Sequence, residues 1–195
     1  MGSQELKIAI SGKSGCGNTT TSRRVAWALG YPMINYTFHS IADERNVPFA
    51  TVCRWAEDDP SWDRYVDQRQ VEMAEQAGRC VLGSRLAIWM LHSADLSVYL
   101  TAPLRVRAER IQKREGGAIE TVEHETAERD RRDRERYLRL YGLDNDQFQF
   151  ADLIVDTTNL SQQDVADRII EEVRRRFGVD RIEGEAASDV ETGVS

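Results

Sequence analysis

Cysteine, proline and long apolar runs are all scarce in this 195-residue chain, and each scarcity argues against something. The three cysteines, Cys16, Cys53 and Cys80, are odd in number and lack the spacing of a metal site. They argue against a disulfide framework and fit a reducing compartment. No apolar run approaches the roughly 20 residues that span a bilayer, so no membrane partner is expected. The opening MGSQELKIAIS lacks the long apolar region and small-residue cleavage site of a signal peptide, which makes a cytoplasmic location the expectation. Excess positive charge is missing as well. A net charge of −7 argues against general nucleic-acid binding, which would set the chain against the phosphate backbone.

Arginine, by contrast, is concentrated between Arg105 and Arg139. Such a cluster in an acidic protein suits a small anionic ligand, or else a solvated helix face laced with ion pairs. The remaining pattern is α/β. Short apolar strands are expected at residues 6–11, 32–36, 79–83, 96–101 and 152–156. Helical stretches separate them. One opens at the glycine-rich run after Ser11, and a mostly helical region over 37–77 is interrupted at Asp59-Pro60. Pro103 opens a further helix, Gly116-Gly117 breaks it, and a polar helix runs over 119–140. A last helix over 161–177 starts at a serine cap. This alternation predicts a three-layer fold around a five-stranded parallel sheet, with ligands beyond the carboxyl ends of the strands. The acidic, small-residue sequence over 179–195 is expected to be disordered.

Residues 12–19 meet the frame G-x-x-x-x-G-K-[ST] at Gly12, Gly17 and Thr19, with Gly15 as an additional glycine. Strand–loop–helix context makes this a phosphate loop. Its glycines let backbone N–H groups turn inward, and the helix N-terminus adds a favourable field. Lys13, Ser14, Cys16, Asn18 and Thr20 complete the expected phosphate-binding stretch, and Thr19 offers a hydroxyl to Mg²⁺. Asn18 stands where the frame has lysine. It is read either as a neutral phosphate contact or as an ordinary helix cap. Lys13 is either a substitute for that lysine or a solvated side chain.

Several stretches, in order, resemble the cytidylate kinases, especially their short archaeal-type branch, over residues 6–173. AEDDPSWDRYVDQRQ (56–70) is similar to that branch's acidic A-E-x-D-P…D-x-x-x-D-x-R-Q segment. VLGSRLAIWM (81–90) resembles V-L-E-G-R-L-A-x-W, and APLRVRAERIQKREG (102–116) resembles A-P-x-x-V-R-A-x-R-I-x-x-R-E. ERDRRDRERY (128–137) looks like the arginine-rich lid, and YGLD and DLIVDT follow in order. The loop position of Lys13 also resembles the second lysine of partition-type ATPases, which keep the usual one as well.

The resemblance implies transfer of the ATP γ-phosphate to CMP or dCMP with Mg²⁺, in a P-loop kinase domain spanning 1–178. A monophosphate-binding lobe would lie near 37–77 and a lid near 116–137. Arg85, Arg129 and Arg136 would hold acceptor or transferring phosphates, with Lys13 as a fourth catalytic candidate. Arg110 and Arg114 would approach the donor nucleotide, and Asp133 would take a ribose hydroxyl. His39, Asp67 and Arg69 would lie on the CMP side. Arginine suits these roles because its planar fork donates paired hydrogen bonds and stays charged. Arg107, Arg110 and Arg114 recur at helical steps, as do Arg129, Arg132, Asp133 and Arg136. Ion pairs with Glu109, Glu115, Glu128 or Glu135 are expected to occupy about half of the cluster. Trp55, Trp62 and Trp89 are expected to serve packing.

Three positions depart from the family pattern: Asn18 for lysine, Gly83 for an acid (with Ser84 in place of the glycine that follows it), and His39 for an arginine. All three remove charge from around the phosphates. Two readings besides the kinase therefore stay open: a nucleotide-binding protein that no longer transfers phosphate, and a kinase for another small acceptor. The expected assembly is a monomer or weak dimer.

Overall fold

A computed structural model of the chain describes residues 5–179. Five strands, β1 (Lys7–Gly12), β2 (Met33–Ile34), β3 (Cys80–Gly83), β4 (Leu96–Thr101) and β5 (Leu153–Asp156), pair in the order β2-β3-β1-β4-β5. Every pairing is parallel. The expected strands are all present; β2 is shorter than expected, at two residues.

Helices fill the crossovers. α1 (Asn18–Leu29) follows β1; α2 (Phe38–Arg45), α3 (Phe49–Asp58) and α4 (Ser61–Ala77) lie between β2 and β3. α5 (Ala87–Met90) follows β3, α6 (Leu104–Glu115) and α7 (Ile119–Tyr141) lie between β4 and β5, and α8 (Gln162–Phe177) closes the order. Side-chain alternation along β1 serves both layers. Ile8 and Ile10 pack with Val25 of α1 and with Val165, Ile169 and Val173 of α8. Ala9 packs with Ala74 of α4, Trp89 of α5 and Tyr137 of α7. Both faces of the sheet are therefore covered, which explains why its strands read as near-continuous apolar runs.

Local sequence accounts for most ends. Ser161 and Asp164 cap α8 reciprocally: the Ser161 hydroxyl accepts from the Asp164 N–H and the Asp164 carboxylate from the Ser161 N–H. Pro60 precedes α4, as expected. The break between α2 and α3 was not evident in the 37–77 pattern. Asn46 produces it by adopting φ 51, from which its N–H reaches the Ala42 and Asp43 carbonyls, and Pro48 then starts α3. α5, four residues long, is too short to show a helical period.

Two smaller apolar clusters lie off the sheet. Tyr36, Ile41, Ala42 and Val52 pack with Trp55 and Trp62, whose rings stack at 5.2 Å. Ala108, Ile111 and Val122 join α6 to α7. The tryptophans do serve packing, and Trp89 is buried in the main core. Val179, expected in the tail, packs against the core; residues 180–195 lie outside the described part. No helix among the described residues is long and apolar enough to cross a membrane.

Candidate active site

A cleft of about 950 Å³ opens beyond the carboxyl end of β1 and is lined from the phosphate loop, α2, α4, the β3–α5 turn, α6 and α7. This is the place a parallel sheet reserves for ligands. Its floor is the loop itself.

Gly15 and Gly17 hold φ of 84° and 87°, and a Cβ on Gly15 would fall 2.7 Å from the Arg107 carbonyl oxygen. Only glycine suits that combination. The Cys16 N–H bonds to the Lys13 carbonyl at 3.1 Å, and the first helical bond runs from the Thr21 N–H to the Gly17 carbonyl. The N–H groups of Ser14, Gly15, Gly17, Asn18, Thr19 and Thr20 have no backbone partner among the described residues. They form an anion-binding end of α1.

The helix-cap reading of Asn18 is corrected by the structure. Gly17 is the N-cap, and Asn18 is the first helical residue, its Oδ1 accepting from the Ser22 hydroxyl at 3.3 Å. Cys16 also departs from expectation: its side chain is 3% exposed in the main core and does not line the cleft. Burial pushes its thiol up to about 11, against the opposing fields of Arg107 and Arg110. Lys13 is not a solvated side chain either. Its Nζ lies 2.5 Å from Asp146 Oδ1 at the edge of the cleft.

Gly83 has a steric reason. A Cβ there would lie 2.5 Å from the Ser22 hydroxyl and 2.7 Å from the Ser22 Cβ, so α1 sits too close to β3 for the family's acid on this backbone. The departures at Asn18 and Gly83 thus meet at one side chain, Ser22.

The arginines divide into groups. Arg85 bridges the loop to α7, donating to the Ser14 hydroxyl at 2.8 Å and to Asp133. Arg136 lies 3.2 Å from the other oxygen of Asp133 and 3.3 Å from Asp63. Its Nε is buried without a partner among the described residues. Arg129 lines the cleft with no direct ion pair among the described residues, as does Lys113, which the sequence reading missed. Arg110 donates to the Gly15 carbonyl at 3.3 Å and to Thr157, tying the loop to the residue that follows β5. Arg114 lines the cleft but pairs with Glu115 at 2.5 Å.

Three expectations fail at the level of placement. Arg107 does not share the open face of Arg110 and Arg114. It is buried and forked onto Asp130, and it also donates to the Ser14 carbonyl at 3.1 Å. Asp133 is buried between Arg85 and Arg136, so its carboxylate serves those guanidinium groups and not the open cleft. Arg69 lies outside the cleft lining and pairs with Glu72 at 3.4 Å, because two residues along a helix from Asp67 points well away from its face. The expected ion pairs are present at Arg105–Glu109, Arg114–Glu115, Arg131–Glu128 and Arg131–Glu135. They occupy mainly residues outside the cleft.

On the α4 side, Asp63, Asp67 and Gln70 line the cleft at one helix face. Asp67 accepts from the Tyr141 hydroxyl at 2.7 Å, and burial pushes its carboxyl up to about 6. His39 lies nearby, stacked on Phe49 at 3.8 Å. Gln70 was missed by the sequence reading; its only signal was the final letter of D-x-R-Q.

The family model described as "Cytidylate kinase-like family" matches residues 7–159. The chain is 47% identical to "Cytidylate kinase 2" of Borreliella afzelii over 175 residues, covering 88% of this chain and 98% of that one. It is 40% identical to the "Cytidylate kinase" of Pyrococcus horikoshii over 167 residues, covering 85% and 86%. Among solved structures, a shikimate kinase from Bacteroides thetaiotaomicron superposes with a TM-score of 0.60 at 16% identity, covering 87% and 98%. That likeness shows the P-loop kinase fold alone. With the family model spanning all five strands and nearly all of the cleft lining, the chain belongs to the cytidylate kinase-like family.

Proposed function

We propose that the protein transfers the γ-phosphoryl group of ATP to CMP or dCMP, giving CDP or dCDP. The observation that carries this reading is the pairing of an open amide loop with cleft-facing Arg85, Arg129 and Arg136 on the opposite wall. A protein that binds the donor nucleotide alone has no need for cations at the acceptor end of the cleft. A phosphotransferase does, because phosphoryl transfer depends on alignment and on balancing charge.

In this mechanism the loop N–H groups bind the donor phosphates. Arg85, positioned by Asp133, holds the transferring or acceptor phosphate beside Ser14, and Arg136 holds it from α7. Arg129 adds charge from about two turns earlier on that helix. Mg²⁺ fits the donor set. Thr19 is exposed to the cleft with no hydrogen-bonded partner, and no cluster of three or more metal-ligating side chains exists, both among the described residues. Mg²⁺ keeps several waters and takes few protein ligands besides substrate phosphates. When bound, it supplies neutralisation of the β- and γ-phosphate oxygens.

We take the 37–77 region as the acceptor lobe and 116–137 as a lid. Their separate apolar clusters allow each to move on the sheet as a unit. Lys13 replaces the charge that Asn18 lacks once donor phosphates compete with Asp146 for it. Arg69 has no part in this site. A cytoplasmic monomer or weak dimer is consistent with this role.

A coupled assay with Mg-ATP and each of CMP, dCMP, UMP and AMP tests the proposal. CMP and dCMP turnover, lost in Arg129→Ala, is the expected result. Nucleotide binding without turnover would establish the impaired-binder reading that Asn18 favours. Turnover with a different acceptor only would move the substrate assignment.

A further inference from the structure

Gln70 is buried, 5% exposed, and lines the cleft. Its Nε2 donates to the Tyr36 carbonyl at 2.9 Å. Because a carbonyl only accepts, that bond fixes the amide orientation and turns Oε1 the other way. Oε1 is buried with no partner among the described residues. A buried acceptor left unpaired is costly, and such an atom in a cleft wall is an address for a donor.

One helical turn away, Asp67 faces the same cleft, and the Tyr141 hydroxyl occupies its Oδ2. Its second oxygen has no hydrogen-bonded partner among the described residues. Residues three apart on a helix are neighbours, so this wall presents two adjacent acceptors. At the other end of the same face, Asp63 lies 3.3 Å from Arg136. From Asp63 to Gln70 the helix rises roughly 10 Å, which separates an arginine-bound phosphate from the acceptor pair. Phe38, Phe49 and Val66 add apolar lining suited to the faces of a ring.

We propose that Gln70 Oε1 and the open oxygen of Asp67 read the exocyclic 4-amino group of the acceptor base, making Gln70 a specificity-determining residue. An amino group offers two N–H donors to two acceptors. The 4-oxo group of uracil would place a third acceptor against them and leave all three unpaired. A site built to receive N–H donors discriminates strongly against an analogue without them. This inference rests on the acceptor lobe being where CMP binds.

The test is the ratio of CMP to UMP affinity, measured by calorimetry with ADP present, so that no turnover is required. Wild-type protein is expected to favour CMP by roughly 10²-fold or more. Gln70→Met keeps the volume and removes the acceptor, and should cut that ratio by about 10-fold. Asp67→Asn keeps an acceptor for Tyr141 and turns an N–H donor to the base. It should lower the ratio by about 10²-fold and improve UMP binding in absolute terms. A general packing defect would weaken both nucleotides alike. Equal affinity in the wild type, no binding of either nucleotide, or an unchanged ratio in both folded variants overturns the inference. Selective CMP binding without phosphoryl transfer would uphold it while ending the kinase reading.

Discussion

The two ends of the cleft are built from different materials. At the donor end the ligand-facing groups are backbone N–H groups, set in place by a continuous run from the last residue of β1 into the first turn of α1. At the acceptor end they are side chains from α2, α4, the β3–α5 turn and α7, far apart in sequence. A backbone-built site is fixed by where glycine is required, so a single bulky substitution destroys it. A side-chain-built site is fixed by ion pairs and hydrogen bonds, so each member can be removed singly while the others stay in place.

Gly15→Val would break the donor end. The added side chain meets both a positive φ and the Arg107 backbone. Turnover should fall by about 10³-fold or more as several amides lose alignment. Retention of ATP binding in calorimetry would show that the loop tolerates displacement. Arg107 joins the two ends, holding the Ser14 carbonyl while forked onto Asp130 of α7. Arg107→Met leaves the part-buried Asp130 carboxylate unpaired and should cost about 3 kcal/mol in urea denaturation. Arg107→Met with Asp130→Leu should recover most of that loss, and failure to recover would point to the Ser14 contact instead.

Smaller effects sharpen the contrast. Lys13→Ala should reduce kcat by about 10²-fold while leaving CMP affinity nearly unchanged. Undiminished catalysis would end the idea that Lys13 supplies the missing charge. Asp67→Asn tests the acceptor end through pH. Burial holds the Asp67 carboxyl at about 6, above its ordinary value of 3.8, so the folded state keeps its proton longer. Its ionisation therefore opposes folding, with a penalty absent below about pH 4 and fully developed above about pH 7. The variant should be stabilised relative to wild type by on the order of 2 kcal/mol near pH 7.5 and little near pH 4. A pH-independent difference in Tm would contradict that assignment.

The same contrast explains what could be read from the chain. The loop was legible because three glycines within six residues, Gly12, Gly15 and Gly17, between an apolar strand and a helix have few other uses. The sheet was legible because its strands are apolar on both faces. The acceptor wall was only partly so. Helical spacing put Arg107 beside Arg110, but nothing in it announces that Arg107 is buried against Asp130 of the following helix. Asp133 was misplaced for the same reason: its partner Arg85 comes from the β3–α5 turn. Arg69 is different, because the helical period already set it off the face of Asp67. Gly83 looked like a lost acid, and only the approach of Ser22 shows that glycine is required there.

Following ³²P from [γ-³²P]ATP into products, with CMP and Mg²⁺ present, tests the central claim most directly. Label appearing in CDP, and disappearing when CMP is omitted or Arg129 is replaced by alanine, is the predicted result. Protein that binds both nucleotides yet leaves all label in ATP or inorganic phosphate would contradict it.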